Sequence, residues 1–259
     1  MGAVASVSMP PTFLALLANA VRWQLLVALA RSDYRVQELA DLVGKPMNLV
    51  SYHLGRLRAM KLVRERRSDA DSRDVYYGLD LDTIRQLYHD AGQSLHPALG
   101  RPDPFAAGEP VSAEPGPTRV LFLCTENSAR SQMAEGILRH FSRGQVEVAS
   151  AGSRPSSVHP LAVQVLAEHG IDISHHRSKS LEEFRGESFD YIITVCDRIK
   201  ESCPTFPGDP ARIHWSFADP AAVQGSEQAR YWAFRVTAKE LMTMVRYLLI
   251  MIERDRQQR

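Results

Sequence analysis

Residues 100–118 read GRPDPFAAGEPVSAEPGPT, with five prolines and three glycines in 19 positions and almost no apolar periodicity. Proline fixes φ and lacks an amide donor, so a regular element does not cross such a stretch, and it reads as a semi-stiff linker. It divides the 259 residues into segments 1–99 and 119–259, of 99 and 141 residues. Each is long enough for a core of its own. With 44% hydrophobic and 24% charged residues the composition is that of an ordinary folded chain. No apolar run approaches the roughly 18 residues of a membrane helix. The start, MGAVASVSMPPTF, lacks the basic and apolar regions of a secretory signal, so a cytoplasmic location is expected. A net charge of +1 provides no global field for nucleic acid, and any such binding must come from a local patch.

The second segment alternates strand and helix. RVLFLC, VEVASAG, FDYIITVC and RIHWSF read as strands, and SQMAEGILRHFSR, PLAVQVLAEHG and the long SEQARYWAFRVTAKELMTMVRYLLIMIER as helices. Such alternation predicts an α/β domain with a four-stranded parallel sheet, whose ligands bind beyond the carboxyl ends of the strands. All three cysteines, Cys124, Cys196 and Cys203, fall in this segment. An odd number in a reducing compartment argues against a structural disulfide framework.

CTENSARS, residues 124–131, follows the first strand directly and opens a helix. Successive amides of Thr125, Glu126, Asn127, Ser128, Ala129 and Arg130, at a helix N-terminus, favour negative charge at one spot. The same positive end, with Arg130, is expected to lower the Cys124 thiol pKa. The Arg130 fork can hold two oxygens of a tetrahedral oxyanion, Ser131 can donate to the thiolate, and Asn127 can tie the loop shut. The bland alternative is a buried cysteine at a strand end beside a surface arginine.

RVLFLCTENSARSQMAEGILRHF resembles the opening of the low-molecular-weight protein tyrosine phosphatases, and more closely the arsenate reductases that share their fold. VEVASAG, HPLAVQVLAEHGIDISHHRSKSL, FDYIITVCD and HWSFADP fall in the family's order. CDRIKESC, which sets Cys196 and Cys203 seven apart, resembles the pair carried by thioredoxin-coupled arsenate reductases. The resemblance implies a three-cysteine relay, because reducing As(V) to As(III) takes two electrons that one thiolate cannot supply and still recover its starting state. Cys124 would attack arsenate, Cys196 would attack Cys124 and release arsenite, and Cys203 would form the outgoing disulfide for thioredoxin. The 196–203 loop would have to move. Asp219 of the Asp-Pro pair would protonate the leaving oxygen. No bound cofactor or structural metal is implied. Some relatives hold a potassium ion through positions matching Asn127, Glu135 and Ser150; a further carboxylate ligand there matches Lys179, whose ammonium is expected to take the cation's place. Two departures stand out. Glu126 replaces a common glycine and is expected to point to solvent, and Ala129 replaces a common extra cysteine. His175 and His176 read as solvated surface, and His159 as a helix opener.

The first segment reads as helices over Phe13–Ala20, Arg22–Ala30 and Val36–Val43, a stop at Gly44, and a longer helix from Pro46 with Leu49, Val50, Leu54, Leu57 and Leu62 on one face. A hairpin (LVRERRS and DVYYGLD) and a last helix from Leu81 to Leu95 follow. That order is a winged helix-turn-helix, and it resembles the ArsR family of bacterial repressors. The helix PMNLVSYHLGRLRAM would then enter a major groove of operator DNA, with Asn48, Ser51, Tyr52 and His53 in its exposed early turns and Arg56, Arg58 and Arg66 near phosphates. From Ser51 to Arg67 six basic residues face one acid, Glu65. The family implies a homodimer through the first and last helices. His89 and His96 sit seven apart on the last helix, and read as dimer packing rather than as a metal site. The segment has no cysteine with which to sense arsenic, so any signal is expected from the second segment. The alternatives to a fused arsenate reductase are a tyrosine phosphatase, needing only Cys124, Arg130 and Asp219, and a non-catalytic arsenic-responsive repressor.

Overall fold

A computed structural model describes residues 11–95 and 117–257. Residues 100–116 of the linker, and His96, lie outside them. The chain forms two compact units, one holding residues up to 66 and 75–95, the other 67–74 and 117–257. Among the described residues no helix is long and apolar enough to cross a membrane.

The first unit has helices α1 (Thr12–Leu17), α2 (Ala20–Leu29), α3 (Val36–Val43), α4 (Met47–Ala59) and α5 (Leu81–Leu95), and strands β1 (Tyr34–Arg35), β2 (Val63–Arg67) and β3 (Val75–Leu79) in the order β1-β3-β2. The ends of α3 follow from local chemistry. Glu38 reaches back to the Arg35 amide at 2.7 Å, and Gly44 closes the helix at φ 60°, a left-handed turn without Cβ strain. Asn19 caps α2 by accepting from the Val21 and Arg22 amides at 3.1 Å. Phe13, Leu25, Leu39, Val50, Leu54, Leu57 and Leu62 fill the core. The apolar stripe of α4 differs by one position from expectation: Leu49 is exposed and His53 is buried. Residues 50, 53, 54 and 57 recur at helical spacing, whereas 49 lies about 100° off that face.

The second unit has β4 (Thr118–Cys124), α6 (Arg130–Ser142), β5 (Val146–Gly152), α7 (Pro160–Ala167), β6 (Tyr191–Thr194), α8 (Asp197–Glu201), β7 (Ala211–His214) and α9 (Glu227–Gln257), with 3₁₀ turns at Leu181–Phe184 and Pro220–Ala222. The sheet is parallel throughout, in the order β5-β4-β6-β7. Fully buried Val120, Leu121, Phe122 and Leu123 make β4 its centre. A strand without polar alternation is what a sheet covered on both faces requires. Helix α6 packs on β4, β5 and α9. The chain leaves β4 towards β5 on one side and reaches β6 on the other, so the strand order reverses at the carboxyl ends of β4 and β6. A crevice opens at such a switch point, and Cys124 ends β4 there while Cys196 follows β6 by two residues.

Candidate active site

The loop between β4 and α6 closes on Asn127. This residue is fully buried and takes φ 48°, a left-handed conformation that asparagine tolerates better than most side chains. Its amide donates to Cys124 Sγ at 3.0 Å, and its Nδ2 donates to Ser131 Oγ (2.9 Å) and Ser150 Oγ (2.7 Å). Its Oδ1 accepts from Gln132 Nε2 (2.9 Å) and the Lys179 amide (2.7 Å), and Ser178 Oγ donates to its carbonyl at 2.6 Å. Gly152, beside Cys124 in the sheet register, is required by close approach: a Cβ there would lie 2.6 Å from the Thr125 carbonyl oxygen and 2.8 Å from the Asn127 nitrogen. Gln132, Ser178 and Gly152 were not singled out from the sequence. The small residues ending VEVASAG were the available signal.

Cys124 lies 2.9 Å from Ser131 Oγ. Thr125 and Ser128 are half-buried, Ala129 is buried and Glu126 is exposed. Arg130 is buried at the start of α6; its guanidinium donates to the Phe217 carbonyl at 2.9 Å and pairs with Asp219 Oδ2 at 2.9 Å. Asp219 Oδ1 accepts from the Ala221 amide at 3.1 Å. Loop residues, Cys196 and Asp219 line one pocket. The electrostatics differ from the expected lowered thiol. Burial pushes the Cys124 thiol up and nearby Cys196 adds to the rise; Ser131, Arg130 and the Asn127 amide oppose it, and the net direction is upward. Burial is the leading cause: a thiolate removed from water loses more than Ser131, Arg130 and the Asn127 amide return to it.

Beneath the loop, Lys179 Nζ sits 3.0 Å from Glu135 Oε2, which also accepts from Ser150 Oγ at 2.5 Å. The lysine ammonium thus pairs with the carboxylate that the family resemblance assigned to a cation. Burial pushes the Glu135 carboxyl up, but Lys179 and the Ser150 hydrogen bond outweigh it and hold the carboxyl below its usual value. His176 is not the solvated residue expected. It is half-buried, with Nδ1 3.0 Å from Gln132 Oε1 and Nε2 2.9 Å from an Arg139 nitrogen. Burial, opposed by Glu135 and reinforced by Arg139, lowers its pKa to about 4, so the ring is neutral: Nδ1 donates and Nε2 accepts. His159 opens α7, its Nδ1 accepting from the Leu161 amide at 3.1 Å.

Cys196 is buried at the start of α8, 3.4 Å from Thr125 Oγ1, so the second thiol rests on the loop that holds the first. Cys203 is half-buried beyond the other end of α8, and burial pushes its thiol up. All three thiols are free. Asp197, fully buried, anchors α8: its Oδ1 accepts from Ser216 Oγ at 2.8 Å and lies 3.1 Å from His214 Nε2. Among the described residues no cluster of metal-ligating side chains is found.

In α4, Asn48, Ser51, Tyr52 and Arg56 are exposed. His53, expected among them, turns inward with Val50 and Leu54 and is no candidate for base contact. Arg66 is half-buried, and Arg58 is hydrogen-bonded to Glu65, so part of the basic stripe is internally paired.

Residues 119–258, more than half of the chain, match the family of low molecular weight phosphotyrosine protein phosphatases, and residues 19–65 match the bacterial regulatory proteins of the arsR family. Similar curated proteins include the arsenate reductases of Halalkalibacterium halodurans (37% identical over 47% of this chain and 88% of that protein), Shouchella clausii (38%, over 47% and 88%) and Bacillus subtilis (40%, over 44% and 82%). Similar solved structures include an arsenate reductase in the phosphate-binding state (30% identical, TM-score 0.43, 52% of this chain and 98% of that one) and a low molecular weight protein tyrosine phosphatase from T. tengcongensis (30%, TM-score 0.43, 52% and 99%). The chain belongs to the low molecular weight phosphotyrosine protein phosphatase family and carries, ahead of that domain, a helix-turn-helix domain of the arsR family of bacterial regulators.

Proposed function

We propose that the second domain, residues 119–259, reduces arsenate to arsenite through Cys124, Cys196 and Cys203, and that the first, residues 1–99, binds operator DNA. The observation that carries the first half is Cys196, buried at the end of β6 and 3.4 Å from Thr125 of the nucleophile loop. A phosphatase has no use for a second thiol in that place. The Cys124 thiolate attacks As(V); the loop amides and Arg130 hold the oxyanion, and Asp219 protonates the departing oxygen. The Cys196 thiolate then attacks the Cys124 sulfur. The sulfur–arsenic bonding pair stays on arsenic, arsenite leaves, and a Cys124–Cys196 disulfide remains. Cys203 attacks Cys196, Cys124 departs as thiolate, and the Cys196–Cys203 disulfide is reduced by an external dithiol of thioredoxin type. Two electrons enter and two are delivered.

Single turnover without external reductant tests the relay. Cys203→Ser yields about one arsenite per chain and retains a Cys124–Cys196 disulfide; Cys196→Ser yields none. A phosphatase reading predicts that both variants hydrolyse an aryl phosphate and that neither forms arsenite. For the first domain, exposed Asn48 and Ser51 on α4 suit base edges and Arg56 a phosphate. A second copy would pack through α1 and α5, where Tyr88 and Leu95 are exposed.

A further inference from the structure

Strand β7 lies alongside β6, with Arg212 opposite Ile192 and His214 opposite Thr194. Side chains two apart on a strand share a face. From that face His214 reaches Asp197 at the start of α8, and Arg212 reaches the segment's far end. Arg212 Nη1 lies 3.6 Å from Cys203 Sγ, and both terminal nitrogens donate to the Pro204 carbonyl at 3.3 Å. The carbonyl after the cysteine therefore orients the guanidinium against the cysteine's sulfur. The same carbonyl lies 3.7 Å from Cys203 Sγ and can accept from the thiol before it ionises.

We propose that Arg212 is a further catalytic residue of the thiol relay, which holds Cys203 as the attacking thiolate in the exchange that moves the disulfide from Cys124–Cys196 to Cys196–Cys203. In that step Cys203 loses its proton to solvent, its sulfur bonds to Cys196, the Cys124–Cys196 bond breaks, and the electron pair leaves on Cys124 as thiolate. No net electrons enter or leave the three thiols. Burial works against Cys203 ionisation, while the charge and hydrogen bond of Arg212 work for it. This assignment rests on the relay proposed above and adds a group that the nucleophile loop does not contain.

The test follows the disulfides in time. Reduced full-length protein is mixed with arsenate in the absence of external reductant and quenched with acid. Free thiols are alkylated and disulfides mapped by mass spectrometry, for wild type, Arg212→Gln and Arg212→Lys. A thiol pKa higher by one unit lowers the thiolate fraction about tenfold and raises its nucleophilicity about threefold. Conversion of Cys124–Cys196 to Cys196–Cys203 in Arg212→Gln is therefore expected to be about threefold slower or more at pH 7. The deficit closes as pH rises, and Arg212→Lys recovers most of the rate. Conversion at the wild-type rate at every pH in Arg212→Gln overturns the proposal while leaving the relay intact. So does an Arg212→Lys as slow as Arg212→Gln, because charge would then not be the cause. If wild type forms neither disulfide, the relay itself falls, and the role of Arg212 with it.

Discussion

Three positions around Cys124 carry separable consequences. Ser131 lies 2.9 Å from Cys124 Sγ and is among the groups that oppose the burial-driven rise of that thiol. A hydrogen bond to a charged group contributes about 1.5–3 kcal/mol, equivalent to about one to two pKa units. Ser131→Ala is therefore expected to move the pH profile of Cys124 alkylation upward by that amount and to slow alkylation at pH 7. Gly152→Ala places a Cβ within 2.8 Å of two backbone atoms of the loop. Overpacking of that kind costs about 1–3 kcal/mol, and here the strain falls on the loop that follows Cys124, so turnover is expected to drop further than denaturant stability alone explains. His176 is held neutral, its pKa lowered to about 4. Its contribution to stability is present above about pH 6.5, the unfolded value, and is lost as pH falls towards 4. Urea midpoints should fall more steeply across that window in wild type than in His176→Gln.

At the scale of elements, what was legible in the chain was what has a period. The unbroken apolar run of β4, the Pro160 start of α7 and the Gly44 stop of α3 all stand within a residue or two of where local chemistry puts them. Helix α8 was not legible: DRIKE is five residues of mostly charged side chains with no apolar face to repeat. So short a helix is not stable by propensity, and it persists here because Asp197, at its first turn, is held by Ser216 and His214 from a strand end 17 and more residues away. The state of Cys124 was illegible for the same reason, since its burial and the nearness of Cys196 are long-range facts. His53 and Leu49 are a different case: the spacing 50, 53, 54, 57 already contained the buried face, and reading the leucine in preference to the histidine misplaced it. The tethering of α8 carries its own expectation. Asp197→Asn removes the anionic acceptor shared by Ser216 and His214, so amides 197–203 should exchange hydrogen faster than in wild type while β4 and β6 stay protected, as read by mass spectrometry. Equal protection in both proteins would show that α8 is held by other contacts.

The whole molecule joins a domain matched to arsR-family regulators with one matched to low molecular weight phosphatases. If α4 reads operator DNA, Arg56→Ala weakens binding about equally on all sequences and reduces the salt slope by about one, whereas Asn48→Ala or Ser51→Ala relaxes preference at a base at a cost of about 1–3 kcal/mol. Fluorescence anisotropy at several salt concentrations separates the two. The first segment holds no cysteine, so all the thiols of the chain are Cys124, Cys196 and Cys203 in the second. Operator affinity is therefore expected to change when arsenate, arsenite or an oxidant is added to wild type, and not to change in the triple serine variant. The central claim, a redox relay rather than a phosphatase, is tested most directly by NADPH consumption with thioredoxin, thioredoxin reductase and arsenate. The relay predicts sustained turnover with one NADPH oxidised per arsenite formed, abolished in Cys196→Ser and in Cys203→Ser. No arsenite from wild type, or undiminished turnover in either variant, would contradict it.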